Sequence, residues 1–189
     1  MTKGAEQLQL SRHTTGEPNL CNSARKSLFA LYGRCHELHI VCPAIQCSFF
    51  NALVRPVISY CCEVWVSLGS KAAMQQLERV HTQFLRQILG VPIANPTKFV
   101  YAEFGQLPLK HSWLQQGLKY LSRLQQMDDS RLCKVAFQAD LHLGLQWFSG
   151  IRDELRLHDI RMPRSLADFD LTATSRALKG FVHFARHDS

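Results

Sequence analysis

Apolar side chains recur every three or four residues along most of the chain, a spacing that places them on one face of an α-helix. The clearest case is residues 71–89, which follow Ser70, a helix-capping residue type, and precede Gly90, a helix-stop residue type. On a helical projection the side chains that lie opposite the apolar ones are Gln75, Arg79, Thr82, Gln83 and Arg86. The pattern predicts an amphipathic helix with a cationic outer face.

The same periodicity predicts helices on both sides of this segment. Residues 44–68 would also suit a strand in part, but their length favours a helix that Pro56 kinks. No alternating strand pattern is present, so the predicted fold class is all-α, in the form of a multi-helix bundle. Residues 1–21 show no sustained period and are predicted to be a loose arm. A further helix begins at Asn22 or Ser23, and others cover 97–104, 108–124, 130–142, 146–157 and 172–186.

Positive charge is concentrated in the middle of the chain. The sequence of 189 residues has 22 Lys and Arg against 15 Asp and Glu, a net charge of +7. Residues 42–127 hold eight of the basic and three of the acidic side chains, which leaves +5 in that part alone. A basic surface of this kind favours an anionic partner. An acidic or polyampholytic tail is excluded as the functional part.

The sequence predicts an intracellular protein, in the nucleus or the cytoplasm. The first twenty residues lack the apolar run of a signal peptide, and seven Cys, an odd number, are typical of reduced thiols. The longest uncharged apolar run, 40–54, is shorter than the roughly twenty residues that a bilayer requires, and Arg55 and Pro56 follow it. No membrane association is predicted.

Three motifs occur in order in the central part. Residues 52–65 read ALVRPVISYCCEVW, residues 77–91 read LERVHTQFLRQILGV, and residues 100–108 read VYAEFGQLP. This series resembles the region that follows the catalytic palm in LINE-like, non-LTR retrotransposon reverse transcriptases, and the resemblance extends over residues 24–148. Cys61 departs from the family pattern, which usually has a Gly after the Tyr.

The resemblance implies a helical thumb-and-connector region that holds the template–primer behind the palm. Polymerisation requires clustered carboxylates that bind Mg²⁺. The family has these carboxylates upstream of the thumb, on an early strand and in a Tyr-x-Asp-Asp turn. Neither of these two motifs occurs before residue 52 in this sequence. The expected function is that of a reverse transcriptase fragment that is not an enzyme, needs no cofactor and at most binds the backbone of RNA or an RNA–DNA duplex. The side chains expected to contact phosphates are Arg55, Lys71, Arg79, Arg86 and Lys98.

The resemblance also divides the chain into an arm (1–21), a thumb/connector-like domain (22–148) and a C-terminal helical extension of unknown role (149–189). The alternative function is that of a structural or protein–protein interaction domain from a decayed retrotransposon reading frame. In that case the partners would be a second copy or a separate palm domain. No small-molecule substrate is expected in either case.

Several His and Cys residues have spacings that resemble those of known metal sites. His36 and His39 are three residues apart, whereas the metalloprotease pattern places its histidines four apart. Cys35 and His39 share a helical face and, with Cys42 and Cys47, are an alternative zinc site. No Cys-x-x-Cys accompanies them, so the sequence predicts buried thiols and no metal site.

Three further features have structural interpretations. Residues 126–129, Gln-Met-Asp-Asp, resemble a catalytic turn, but a helix cap at Asp129 or Ser130 explains them. His81 lies within the apolar face of 71–89 and is predicted to be a core histidine with one hydrogen bond. Arg55 and Glu63 are predicted to form a partly buried ion pair on one helical face.

Overall fold

A computed structural model describes residues 16–144 and 146–157. This part of the chain forms α-helices and one π-helical turn and contains no strand, which confirms the all-α class. Residues 1–15 and the predicted helix at 172–186 lie outside the described residues. In chain order the elements are α1 Gly16–Glu37, α2 Pro43–Phe49, the π-helical turn Phe50–Val54, α3 Arg55–Ile58, α4 Cys62–Trp65, α5 Lys71–Leu89, α6 Thr97–Glu103, α7 Leu109–Gln126, α8 Leu132–Leu143 and α9 Gln146–Arg156.

Helix α5 has the bounds and caps that the sequence predicts. The Ser70 hydroxyl accepts a hydrogen bond of 3.1 Å from the Ala73 N–H, and Gly90 has the left-handed φ of 66° that ends the helix. The predicted apolar face is buried or half-buried. Thr82 is the exception to the predicted outer face: it is buried beneath α6, and its hydroxyl donates to the Glu78 carbonyl at 2.9 Å.

Helix α1 begins before the predicted start. It spans Gly16–Glu37, and Asn22 is an exposed residue inside it, so the predicted N-cap at Asn22 is wrong. Cys21 is 3% exposed and continues the buried face of the helix by one turn. Residues 16–21 thus belong to α1, and Leu20 and Cys21 pack in the hydrophobic core. The buried face comprises Cys21, Ala24, Leu28, Leu31 and Cys35, at alternating spacings of three and four.

The segment predicted as one helix over 44–68 is helical but broken. A turn separates α3 from α4, and Cys61 within it has a φ of 52° and a ψ of 27°, the left-handed conformation. The Trp65 indole N–H donates to the Tyr60 carbonyl at 2.7 Å across this turn. Pro56 lies in the first turn of α3, which follows the π-helical turn directly.

The main core lies between α1, the π-helical turn, α3 and α5. Phe50 of the π-helical turn stacks on Phe84 of α5 with ring centroids 4.2 Å apart. Helix α6 runs antiparallel to α5, because Thr97 contacts Arg86 whereas Tyr101, one turn later, contacts Thr82.

Helix α9 packs on α7 and on the turn before α5. Ile151 and Leu155 are fully buried in a cluster with Leu114 and Leu118 of α7. The predicted boundary between residues 148 and 149 therefore falls inside a helix that belongs to the bundle. The remainder of the predicted extension, 158–189, lies outside the described residues.

Helix α9 is in close contact with α4 and with the turn that joins α4 to α5. The Trp147 indole N–H donates to the Glu63 carbonyl at 3.1 Å. A Cβ added to Gly150 would lie 2.7 Å from both the Cβ and the carbonyl oxygen of Ser67. Only glycine fits at this position without a shift of the backbone.

Candidate nucleic-acid interface

The five cations predicted to contact phosphates do not share one surface. Lys71 and Arg79 of α5 and Lys98 of α6 are exposed, and Arg86 is half-buried. Arg55 is half-buried in a cavity that His81 also lines. Because His81 lies about 200° around the α5 axis from Arg79, at roughly 100° per residue, Arg55 lies on the other side of this helix.

Arg86 has a structural role. Its Nη2 donates to the Asn95 carbonyl at 2.8 Å and to the Thr97 hydroxyl at 3.0 Å, which ties the loop after α5 to the start of α6. Both acceptors are neutral, so the guanidinium keeps its positive charge. Arg86 therefore adds to the local potential while its Nη2 group binds the protein itself.

The surface formed by α5 and α7 carries cations that lack carboxylate partners. Each helix has three Lys or Arg; α5 has one acidic residue, Glu78, and α7 has none. Ion pairs in the described part of the chain involve Arg34, His81, Arg152 and Arg156, and none of the Lys or Arg of α5 and α7. Lys110 of α7 is exposed and lines a cavity of about 410 Å³ together with Lys71, Glu78 and Glu154 of α9. We define the basic face as Lys71, Arg79, Arg86, Lys98 and Lys110.

The Glu78 side chain is turned into the bundle. Its Oε1 accepts hydrogen bonds from the Tyr101 hydroxyl and from the Leu109 N–H, the latter at 2.9 Å. The His81 Nδ1 is 3.8 Å from the same oxygen, and the Thr82 hydroxyl is 3.2 Å from the Tyr101 hydroxyl. This network joins α5, α6 and the start of α7. The sequence pattern does not predict it, because the partners of Glu78 include residues 23 and 31 positions away.

The network fixes the charge state of its two acidic groups. Burial acts to raise the pKa of Glu78, but the nearby His81 ring and the hydrogen bonds from Tyr101 and Leu109 outweigh it and hold the pKa below its ordinary value. Burial and the adjacent Glu78 charge raise the pKa of Tyr101. At neutral pH the carboxylate is an anion and the phenol is a neutral donor. The negative charge of α5 is thereby held away from its outer surface.

His81 has the structural role that the sequence predicts. It is 2% exposed, and its Nε2 lies 2.8 Å from the Gln106 Oε1. Its ring also stacks on Phe50 with centroids 5.2 Å apart. A core histidine with one hydrogen bond is confirmed.

The predicted ion pair between Arg55 and Glu63 is not formed. The Arg55 Nη1 instead donates to the Asn51 Oδ1 at 3.4 Å, and no described ion pair includes either residue of the predicted pair. The prediction placed both residues on one continuous helix. The left-handed turn at Cys61 interrupts that helix and removes the common face.

The features that imitate known sites have other roles. In the described part of the chain no three His, Cys, Asp or Glu side chains are grouped so that they could hold a metal ion, and Cys35 is buried whereas Cys42 is exposed. The loop at 126–129 joins α7 to α8, and the Asp128 carboxylate accepts hydrogen bonds from the Ser130 N–H at 2.9 Å and from its hydroxyl. The N-cap of α8 is Arg131, so the predicted caps are wrong.

Side chains of α7, α8 and α9 converge on one aromatic cluster. Tyr120 packs edge-to-face on Trp147 with centroids 5.8 Å apart, and the Arg123 guanidinium lies 5.7 Å from the centroid of the Tyr120 ring. Phe137 also packs edge-to-face on Trp147, with ring centroids 6.0 Å apart. This cluster joins the three helices through ring contacts.

Comparison with protein-family models, curated proteins and solved structures gives no match. The likeness to reverse transcriptases therefore depends on the three motifs of the central part. None of the helices in 16–144 and 146–157 is both long and apolar enough to cross a bilayer.

Proposed function

We propose that this chain is a helical module derived from a LINE-like reverse transcriptase, without polymerase activity of its own, that binds the backbone of RNA or an RNA–DNA duplex through the basic face. The observation that carries the proposal is the charge arrangement on α5 and α7. Their six Lys and Arg form no ion pair with a carboxylate of residues 16–144 or 146–157, and the one acidic side chain of the two helices is hydrogen-bonded inside the bundle.

Binding of this kind is electrostatic and tolerates any sequence. Lys71, Arg79, Lys98 and Lys110 are exposed and keep their donors for an external anion. Neutralising phosphates with such side chains releases condensed counterions, which makes the affinity fall as salt rises. Contacts to phosphates position a duplex but carry no base information, so sequence preference is slight.

The test is a binding titration with matched charge variants. A labelled RNA–DNA hybrid is titrated with the wild type, with Lys71→Gln/Arg79→Gln and with Arg25→Gln/Lys26→Gln, and fluorescence anisotropy is measured. Both double variants lose two positive charges, but the second loses them from the exposed side of α1. We expect only the first variant to bind the hybrid more weakly. For that variant the slope of the logarithm of the association constant against the logarithm of the salt concentration is expected to be less steep by about two. Equal weakening by both variants would assign the binding to net charge alone.

A second candidate is association with another protein. Exposed apolar side chains are frequent in residues 38–68, and such surfaces often mark interfaces. They would suit a second copy or a separate palm domain. Size-exclusion chromatography over a range of concentrations tests this, because a mass that rises towards a dimer supports it and a constant monomer mass opposes self-association. The exposed apolar side chains in residues 38–68 are Leu38, Val41, Ile45, Leu53, Tyr60, Val64 and Leu68.

A further inference from the structure

A second cavity lies between the π-helical turn, α3, α5 and the start of α7. Its volume is about 290 Å³, at the lower end of the range for small-ligand sites. Polar side chains from three parts of the chain line it: Asn51 and Arg55, then His81, then the stretch from Gln106 to Gln115. None of the basic-face residues is among them.

Several polar groups of this cavity are hydrogen-bond donors. The Arg55 guanidinium makes one long hydrogen bond of 3.4 Å, to Asn51, although it has five N–H groups. The Gln106 Oε1 accepts from His81 Nε2, which leaves the Gln106 NH₂ group to donate. The Ser112 hydroxyl is a third donor on the lining.

The charges of the lining select the class of ligand. Among the residues that the structure describes, the lining includes an arginine and two histidines and no Asp or Glu. A guanidinium repels a metal ion, and its positive charge favours an anionic ligand over a neutral one. Donors that converge from three elements suit an oxyanion with several acceptor oxygens, and a phosphate group offers more of these than a carboxylate does.

We propose that this cavity is a phosphate-binding site in which Arg55 is the principal ligand. The phosphate would belong to a free small compound or to the phosphorylated end of a nucleic acid, two sources that share the same chemistry. The site is separate from the basic face. Phosphate binding can therefore succeed or fail independently of duplex binding.

The first test uses inorganic phosphate. Two-dimensional ¹H–¹⁵N NMR spectra of the whole chain are recorded during titration with potassium phosphate, potassium acetate or potassium chloride at matched ionic strength. The expected result is a saturable shift, specific to phosphate, of the Arg55 Nε–H signal and of backbone amides in 105–112. Shifts that do not saturate, or that acetate reproduces at the same concentrations, would overturn the proposal.

Variants then assign the binding to the cavity. Arg55→Gln is expected to weaken phosphate binding about tenfold or more, because it removes a charged, forked donor, and Arg25→Gln on α1 is expected to leave it unchanged. Ser112→Ala is expected to weaken it less, and it serves as the second variant if Arg55→Gln does not fold. Undiminished binding in a folded Arg55→Gln or, failing that, in Ser112→Ala contradicts the proposal.

A second experiment distinguishes the two sources of phosphate. Oligonucleotides with a 5′-phosphate or a 5′-hydroxyl are compared with wild type and Arg55→Gln. An advantage of the 5′-phosphate that disappears in Arg55→Gln identifies the end of a nucleic acid as the ligand. Equal binding of the two oligonucleotides, with saturable binding of inorganic phosphate, identifies a free phosphate compound.

Discussion

The backbone N–H of Leu109, the first residue of α7, donates a hydrogen bond of 2.9 Å to the Glu78 carboxylate in the middle of α5. The same oxygen accepts from the Tyr101 hydroxyl of α6. One carboxylate thus joins three helices and satisfies a backbone donor at the start of α7 that has no partner within the helix. The position of the basic face depends on this junction.

Replacement of Glu78 is expected to lower the stability of the fold. Glu78→Gln preserves the shape but removes the charge that strengthens both hydrogen bonds, so we expect the free energy of unfolding to fall by about 2 kcal/mol. Urea denaturation followed by circular dichroism measures it. The control is Glu37→Gln, which breaks an exposed ion pair with Arg34 and is expected to cost less than about 1 kcal/mol. Equal losses in the two variants would contradict the structural role of Glu78.

The same carboxylate gives the stability a dependence on pH. The pKa of Glu78 in the folded protein lies below its ordinary value of 4.5. Its contribution is therefore fully present above the unfolded-state pKa and is lost as pH falls through the folded-state pKa. We expect the free energy of unfolding to decrease on acidification below about pH 4.5, and to decrease less steeply in Glu78→Gln. Identical slopes in the two proteins would show that Glu78 binds its proton equally well when unfolded.

Replacement of Cys61 by glycine is expected to stabilise the folded protein. A φ of 52° brings the Cβ of a non-glycine residue close to the following carbonyl, and the exposed Cys61 side chain gains little packing in return. Cys61→Gly is expected to raise the free energy of unfolding by about 0.5–1 kcal/mol. Cys61→Ala is the matched control, because it removes the thiol but keeps the Cβ. A gain in the alanine variant as large as that in the glycine variant would attribute the effect to the thiol.

The packing of α9 is expected to depend on Gly150. In Gly150→Ala the new methyl group would meet the Ser67 backbone at 2.7 Å, so the helix must shift away from the turn, at a cost of about 1–3 kcal/mol. The control is Gly33→Ala in α1, where a Cβ meets nothing within 4 Å and is expected to stabilise the helix by up to about 1 kcal/mol. Denaturation curves of both variants provide the comparison. A neutral Gly150→Ala would contradict the close contact of α9 with residue 67.

The helices are predictable from the sequence where their signals are local. Ser70 and Gly90 act within one turn of the helix that they bound, so both ends of α5 follow from the residues themselves. The break at Cys61 does not, because cysteine has no preference for the left-handed conformation that the chain adopts there. The predicted pairing of Arg55 with Glu63 is wrong for the same reason.

The candidate sites are predictable only in part. The amphipathic pattern locates the outward cations Lys71 and Arg79, because that face follows from helical periodicity alone. It cannot show that Arg55 lies across α5 from them, since this depends on how α3 packs. Nor can it indicate that Glu78 points inward, because its partners come from α6 and α7, far along the chain.

Binding of an RNA–DNA hybrid as a function of salt tests the proposed function most directly. The wild-type chain is titrated with the labelled hybrid at several KCl concentrations, and the logarithm of the association constant is plotted against the logarithm of the salt concentration. We predict a straight line with a negative slope of about two or more, since each phosphate neutralised on a duplex contributes about 0.9. Binding that does not change with salt, or no binding at the lowest salt, would contradict a backbone-binding role for the basic face.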